Sequence, residues 1–157
     1  MKILSIAVTL VGLSSGVFFA WGCSVLPGLK LLPAREYILA FQSMNRAIQN
    51  PVFFLCFMGA GIVLPVAAWM YRGEPVRFGL LLAAGILYIV GVWGVTMAGN
   101  VPLNEALDKF DAGAALPGEI VRQRDLFEGA WMRLHGWRTM AAVVSFVLSV
   151  MAGVVGK

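Results

Sequence analysis

Trp131, His135 and Arg138 are separated by four and then three residues, so a helix carrying them stacks all three on one face. The residue types suit acid–base and anion chemistry. An imidazole exchanges protons near neutral pH, a guanidinium holds an anion, and an indole packs on an aromatic ring. Three asparagines add amide groups. Asn100 and Asn104 lie four residues apart, and Asn45 shares a helical face with Phe41 and Ile48. Together with His135 and Arg138 they form a donor set able to stabilise a developing oxyanion. The candidate catalytic residues are therefore His135, Asn100, Asn104 and Arg138, with Trp131, Asn45 and Phe41 as candidate substrate contacts. Plainer roles stay open at the same positions. Arg138 could snorkel to headgroups, Trp131 and Trp137 could be interfacial anchors, Asn100 could cap a helix, and the amides could tie loops together.

The elements that position these residues are set by an unusual composition. Of 157 residues, 60% are hydrophobic and 13% charged, with a mean hydropathy of +0.84. Soluble domains carry about 25% charged residues, so this chain lacks the polar shell a water-soluble core of its size needs. Four segments are long and apolar enough to cross about 30 Å of hydrocarbon. They run from about residue 3 to 26, 52 to 71, 78 to 98 and 134 to 155. The last reaches spanning length only if it starts near Leu134, which draws His135 and Arg138 toward the hydrocarbon, where ionisable groups normally face a bundle interior or a wet cavity. Continuous rather than alternating apolar runs predict helices, not a barrel. The expected fold is all-α: a single four-span membrane domain over residues 1–157, a four-helix bundle.

The connections carry their own signals. Tyr71 to Arg77 is a tight polar turn. In the first connection, Tyr37, Ile38, Phe41, Met44, Asn45 and Ile48 share one face, which predicts an amphipathic helix at the interface over residues 34–49. Asn50-Pro51 then starts the second span. In the third connection a short helix is expected from Pro102 to about Phe110, N-capped by Asn100 or Val101. A long helix from about Pro117 is expected to run unbroken into the fourth span and to project beyond the bilayer. The first span lacks a small-x-small cleavage site and reads as a retained helix. Orientation stays undecided, because Lys2, Arg72, Arg77 and Lys157 compete with the basic residues of the long connections. A short chain of this kind suits a bacterial inner membrane.

Several classes are excluded or disfavoured. Net charge is +4, but the Lys and Arg residues are scattered between apolar runs, so no nucleic-acid partner is expected. One histidine and two isolated cysteines cannot build a closed zinc site of the usual kind, and no metal is expected. Cys23 and Cys56 each sit in an apolar run and read as small buried hydrophobes rather than as a disulfide. Glycines such as Gly12, Gly16, Gly59, Gly61, Gly85, Gly91 and Gly94 permit close helix approach, and with it a homo-oligomer.

Five blocks, in order, carry a resemblance that covers nearly the whole chain: Gly16 to Phe19, Pro27-Gly28-Leu29, Gln42-Ser43-Met44-Asn45, Thr96 through Asn100-Val101-Pro102-Leu103-Asn104, and Trp131 through His135 and Arg138 to Thr139. The chain resembles the DUF1772, anthrone-oxygenase-like, membrane protein family. That resemblance implies a four-helix membrane protein. It also implies kinship with enzymes that oxidise anthrones to anthraquinones with molecular oxygen and no cofactor.

Three functional readings follow. The first is a cofactor-independent oxygenase acting on a lipophilic phenol or anthrone-like small molecule. His135 is then the base, Asn100, Asn104 and Arg138 stabilise the anion, and Trp131 packs on the ring. The second is a haem- or quinone-binding redox protein with His135 as ligand or hydrogen-bond partner. With one histidine, bis-His haem ligation within one chain is impossible. The third is a non-enzymatic structural or transport partner in the bilayer, its polar cluster only holding helix ends in place.

Overall fold

The computed structural model describes residues 2–155, so Lys157, counted above in the competing positive set, lies outside the described residues. Four helices are long and apolar enough to cross a membrane, and a fifth lies across one end. They are α1 (Lys2–Lys30), α2 (Ala34–Ala47), α3 (Pro51–Met70), α4 (Pro75–Asp108) and α5 (Pro117–Val154). No strand occurs among the described residues.

The spanning helices form a square in the order α1, α3, α4, α5, each packed on its two neighbours, while the backbones of the diagonal pairs make no close approach among the described residues. Small side chains let the backbones approach: Ala7, Ala60, Ala67, Ala84 and Ala142 are fully buried between helices. Lipid supplies no hydrophobic drive between helices, so buried hydroxyls add specific links. Ser14 and Tyr88 share a hydrogen bond of 2.6 Å, Ser15 donates to the Ala142 carbonyl at 2.8 Å, and Ser145 donates to the Ala84 carbonyl at 2.9 Å. The outward faces are apolar, as at Leu55, Ile62, Val90 and Val147. The chain is an integral membrane protein by these features.

A second core sits at the end of the bundle that carries the long connections. Tyr37, Ile38 and Phe41 of α2 are buried against Leu26, Leu29, Leu107, Phe127 and Trp131. The apolar face predicted for α2 is thus turned onto α1, α4 and α5. Polar links hold it there. Gln42 donates to the carbonyls of Leu107 and Phe110 at 2.7 and 2.9 Å, and Arg46 pairs with Asp108 at 2.8 Å. Arg124 reaches the Leu32 carbonyl at 2.7 Å and lies 4.3 Å from the Tyr37 ring. Burial raises the Tyr37 phenol above its ordinary range; Glu128 adds to the shift and Arg124 opposes it.

The helix limits match their sequence signals closely. The Asn50 side chain accepts from Phe53 N–H at 3.0 Å and caps α3, and the Leu116 N–H donates to Glu119 at the start of α5. At 38 residues α5 is about 57 Å long, well beyond a bilayer's hydrocarbon, and so projects from it. One expectation needs correction. Asn100 does not cap a new helix: its backbone is helical (φ −67°, ψ −38°) and its side chain makes no capping bond. The expected short helix, Val101–Asp108, continues α4 without a break. Pro102 is tolerated because π-helical turns at Leu87–Gly94 and Thr96–Asn100 have already loosened the carbonyl ladder in front of it.

Candidate functional site

Three helices bring the polar residues to one place. Trp131 on α5 donates its indole N–H to Asn104 Oδ1 at 2.7 Å, and Asn104 Nδ2 donates to Asn45 Oδ1 on α2 at 2.8 Å. Asn100 Nδ2 reaches the Trp131 carbonyl at 3.4 Å. On the other side of Trp131 the His135 ring stacks flat, centroids 4.9 Å apart and planes 13° apart. Arg138 then donates to His135 Nδ1 at 2.9 Å and to Thr96 Oγ1 at 3.3 Å. Asn45, Asn100, Asn104, Trp131, His135 and Arg138 therefore form one connected array, although 93 residues separate its ends (138 − 45).

This array borders a cavity of about 480 Å³, in the range of small-molecule sites. Its walls are rich in aromatic rings: Phe18 and Trp21 from α1, Phe41 from α2, Phe53 and Phe57 from α3, and Trp131 from α5. Asn45, Asn104, Thr96 and Arg138 supply polar atoms, and Gln49 with the charged Glu105, Asp108 and Lys109 forms a polar rim. Five of the seven candidate site residues (Phe41, Asn45, Asn104, Trp131, Arg138) line it.

His135 and Asn100 do not. Asn100 is fully buried behind the wall. His135 is 2% exposed, enclosed by Trp131, the edge of Phe18 and the backbone at Gly22, where a Cβ would stand 3.6 Å from Nε2. Its nitrogens are both engaged. A guanidinium has no acceptor, so the ring offers Nδ1 as the acceptor and carries its proton on Nε2. Nε2 lies 3.3 Å from Thr139 Oγ1, whose hydroxyl donates to the His135 carbonyl at 2.7 Å. Ligation of a haem iron by His135 would first require breaking one of these contacts.

Arg138 is the group that faces the cavity. Its side chain is 7% exposed, and no ion pair joins it to a carboxylate among the described residues. Its Cζ lies 4.5 Å from the Phe18 ring centroid and 5.5 Å from that of Trp131, so ring faces share its charge. Nε of Arg138 and Oδ1 of Asn100 are buried without hydrogen-bond partners among the described residues. A buried cation with no counter-ion among the described residues, set in an aromatic-rich cavity, has the chemistry to hold an anion. Trp137, by contrast, points outward at 65% exposure.

Sequence reasoning missed Thr96, Phe18 and Thr139. Each had a signal: Thr96 lies one turn before Asn100 and Thr139 one turn after His135. Phe18 belongs to one of the blocks that carry the family resemblance. No cluster of three or more His, Cys, Asp or Glu gathers among the described residues; Cys23 and Cys56 are free thiols, but Cys23 is exposed and Cys56 only partly covered, so neither is the buried hydrophobe expected.

Residues 41–148, more than half of the chain, match the family model described as "Anthrone oxygenase". All seven candidate site residues fall inside that match, whereas the α1 wall of the cavity falls outside it. No curated protein and no solved structure matches the chain.

Proposed function

The chain belongs to the anthrone oxygenase family, and from that premise we propose that it is a cofactor-independent membrane oxygenase whose substrate is a lipophilic phenol or anthrone-like molecule. The observation that carries this reading is Arg138, a buried guanidinium that pairs with no carboxylate among the described residues, lining an aromatic-rich cavity. A bacterial inner membrane is the location this reading assigns.

Arg138 stabilises the anion formed when the substrate loses an acidic C–H proton. In a low-dielectric cavity that interaction is far stronger than in water. Thr96 and the free amide hydrogens of Asn45 and Asn104 add donors, and Phe41, Phe57 and Trp131 flank the flat ring system. The proton leaves toward the aqueous rim at Glu105 and Asp108. This assignment takes the base role away from His135, whose Nδ1 lone pair is held by Arg138. His135 instead aims the guanidinium, and Asn100 supports Trp131 from behind.

The step balances with oxygen as the oxidant. The carbanion adds O2, forming a C–O bond and a peroxide anion. The peroxide takes up one proton, and loss of water then leaves a carbonyl. Overall a CH2 group and O2 become C=O and H2O. Oxygen uptake by the vesicle-reconstituted protein with anthrone tests the reading. One O2 consumed per anthraquinone formed is expected; no uptake above the vesicle blank would sink it.

A further inference from the structure

The square bundle is open along one edge. α3 packs on α4 over residues 75–94 but makes no close backbone approach to residues 96–108 of α4. Trp93 marks the fork. Its indole lies against Gly61, where any Cβ would collide with the ring, and it donates to the Phe57 carbonyl at 3.0 Å. Beyond that contact the two helices part. The π-helical turns of α4 carry its last stretch toward α5 and α2, which it joins through Asn100, Asn104 and Leu107. α2 covers the end of the bundle but not this edge, since it packs on α1, α4 and α5 and not on α3.

The cavity lies behind the gap. Its lining residues that are also exposed fall into two sets. Phe54 (45%), Met97 (54%) and Val101 (37%) flank the gap with apolar surface. Gln49, Glu105, Asp108 and Lys109 follow at the charged end. On α4 the sequence Met97, Val101, Asn104, Asp108 repeats at helical spacing along one face, so the opening runs from apolar to charged along the bundle axis. Such a gradient matches the passage from hydrocarbon to headgroups.

We propose that the gap between Phe54 and Met97 is a lateral portal through which the substrate enters from the hydrocarbon of the bilayer. This rests on the oxygenase reading and names its substrate class more closely: a flat, membrane-partitioning aromatic acid that enters neutral. It meets Arg138 only after passing the aromatic walls. Desolvation then costs the neutral form little, and the anion appears only where the guanidinium awaits it.

The test uses the whole protein in phosphatidylcholine vesicles preloaded with anthrone, without oxygen, following association by tryptophan fluorescence. Met97→Trp fills the portal and is expected to slow association about tenfold. Val90→Trp, on the lipid face of α4 below the fork, is expected to leave the rate unchanged. An unaltered rate in Met97→Trp would overturn the portal, as would slowing by Glu105→Trp alone, which would put entry at the aqueous rim. Oxygen uptake separates the two readings. Portal-gated binding with no uptake refutes the oxygenase and keeps the portal, whereas uptake by the wild type with unslowed association in Met97→Trp refutes the portal alone. A wild-type protein that binds no anthrone refutes both.

Discussion

Replacing His135 by alanine and by asparagine separates a proton-transferring imidazole from one that only aims its neighbour. In the structure Nδ1 accepts from Arg138 at 2.9 Å and the ring does not line the cavity. Alanine removes that acceptor. A hydrogen bond to a charged group contributes about 1.5–3 kcal/mol, and each 1.4 kcal/mol is about tenfold in rate. His135→Ala should therefore lower kcat/KM for oxygen uptake by about 10- to 100-fold. Asparagine is the informative variant. Its Oδ1 occupies the position of Nδ1, two bonds from Cβ, and accepts a hydrogen bond without titrating. If His135 positions Arg138, His135→Asn should recover activity to within about fivefold of wild type, with an unchanged pH–rate profile. A general base contributes about 10²- to 10⁴-fold, and asparagine cannot replace it. Equal losses in the alanine and asparagine variants, together with loss of one limb of the pH profile, would refute the positioning role. Thermal denaturation in detergent establishes that each variant is folded.

Arg138→Met should lower kcat by about 10²–10³-fold, the usual cost of removing an oxyanion partner, while Arg138→Lys recovers only part of it because a point charge lacks the guanidinium's flat face toward Phe18; oxygen uptake measures both. Trp131→Phe keeps the ring but loses the donor to Asn104, so it should lower kcat/KM by about tenfold and should be nearly silent in an Asn104→Leu background. Gly91→Ala places a methyl 2.6 Å from the Ala141 side chain and should cost about 1–3 kcal/mol in detergent denaturation, whereas Gly16→Ala meets nothing within 4 Å and should not destabilise. Tyr37 should resist ionisation in an ultraviolet difference titration beyond the usual value of about 10. Its folded pKa lies above the unfolded one, so its stabilising contribution is complete below that value and is lost as pH rises toward the folded one.

Local patterns account for much of this protein. Four apolar runs, the face shared by Tyr37, Ile38 and Phe41, and the unbroken stretch from Pro117 onward are each read from a few turns of helix. All three appear in the structure as helices, the third apolar run as part of a longer helix that continues to Asp108. Helical periodicity also placed Trp131, His135 and Arg138 on one face, because 3.6 residues per turn leaves no alternative. Asn100 shows where local reasoning stops. Asn-Val-Pro is a good helix-start signal, yet α4 runs through it, with π-helical turns immediately upstream.

The division of labour within the site was decided only in three dimensions. Asn45 meets Asn104 across 59 residues because Tyr37, Ile38 and Phe41 seat α2 on the bundle end. Periodicity cannot tell which member of a shared face reaches a cavity. That depends on side-chain length and on the neighbours that stand in front. His135 stops behind Trp131 and Phe18, while the longer Arg138 side chain passes between the same two rings to the cavity wall.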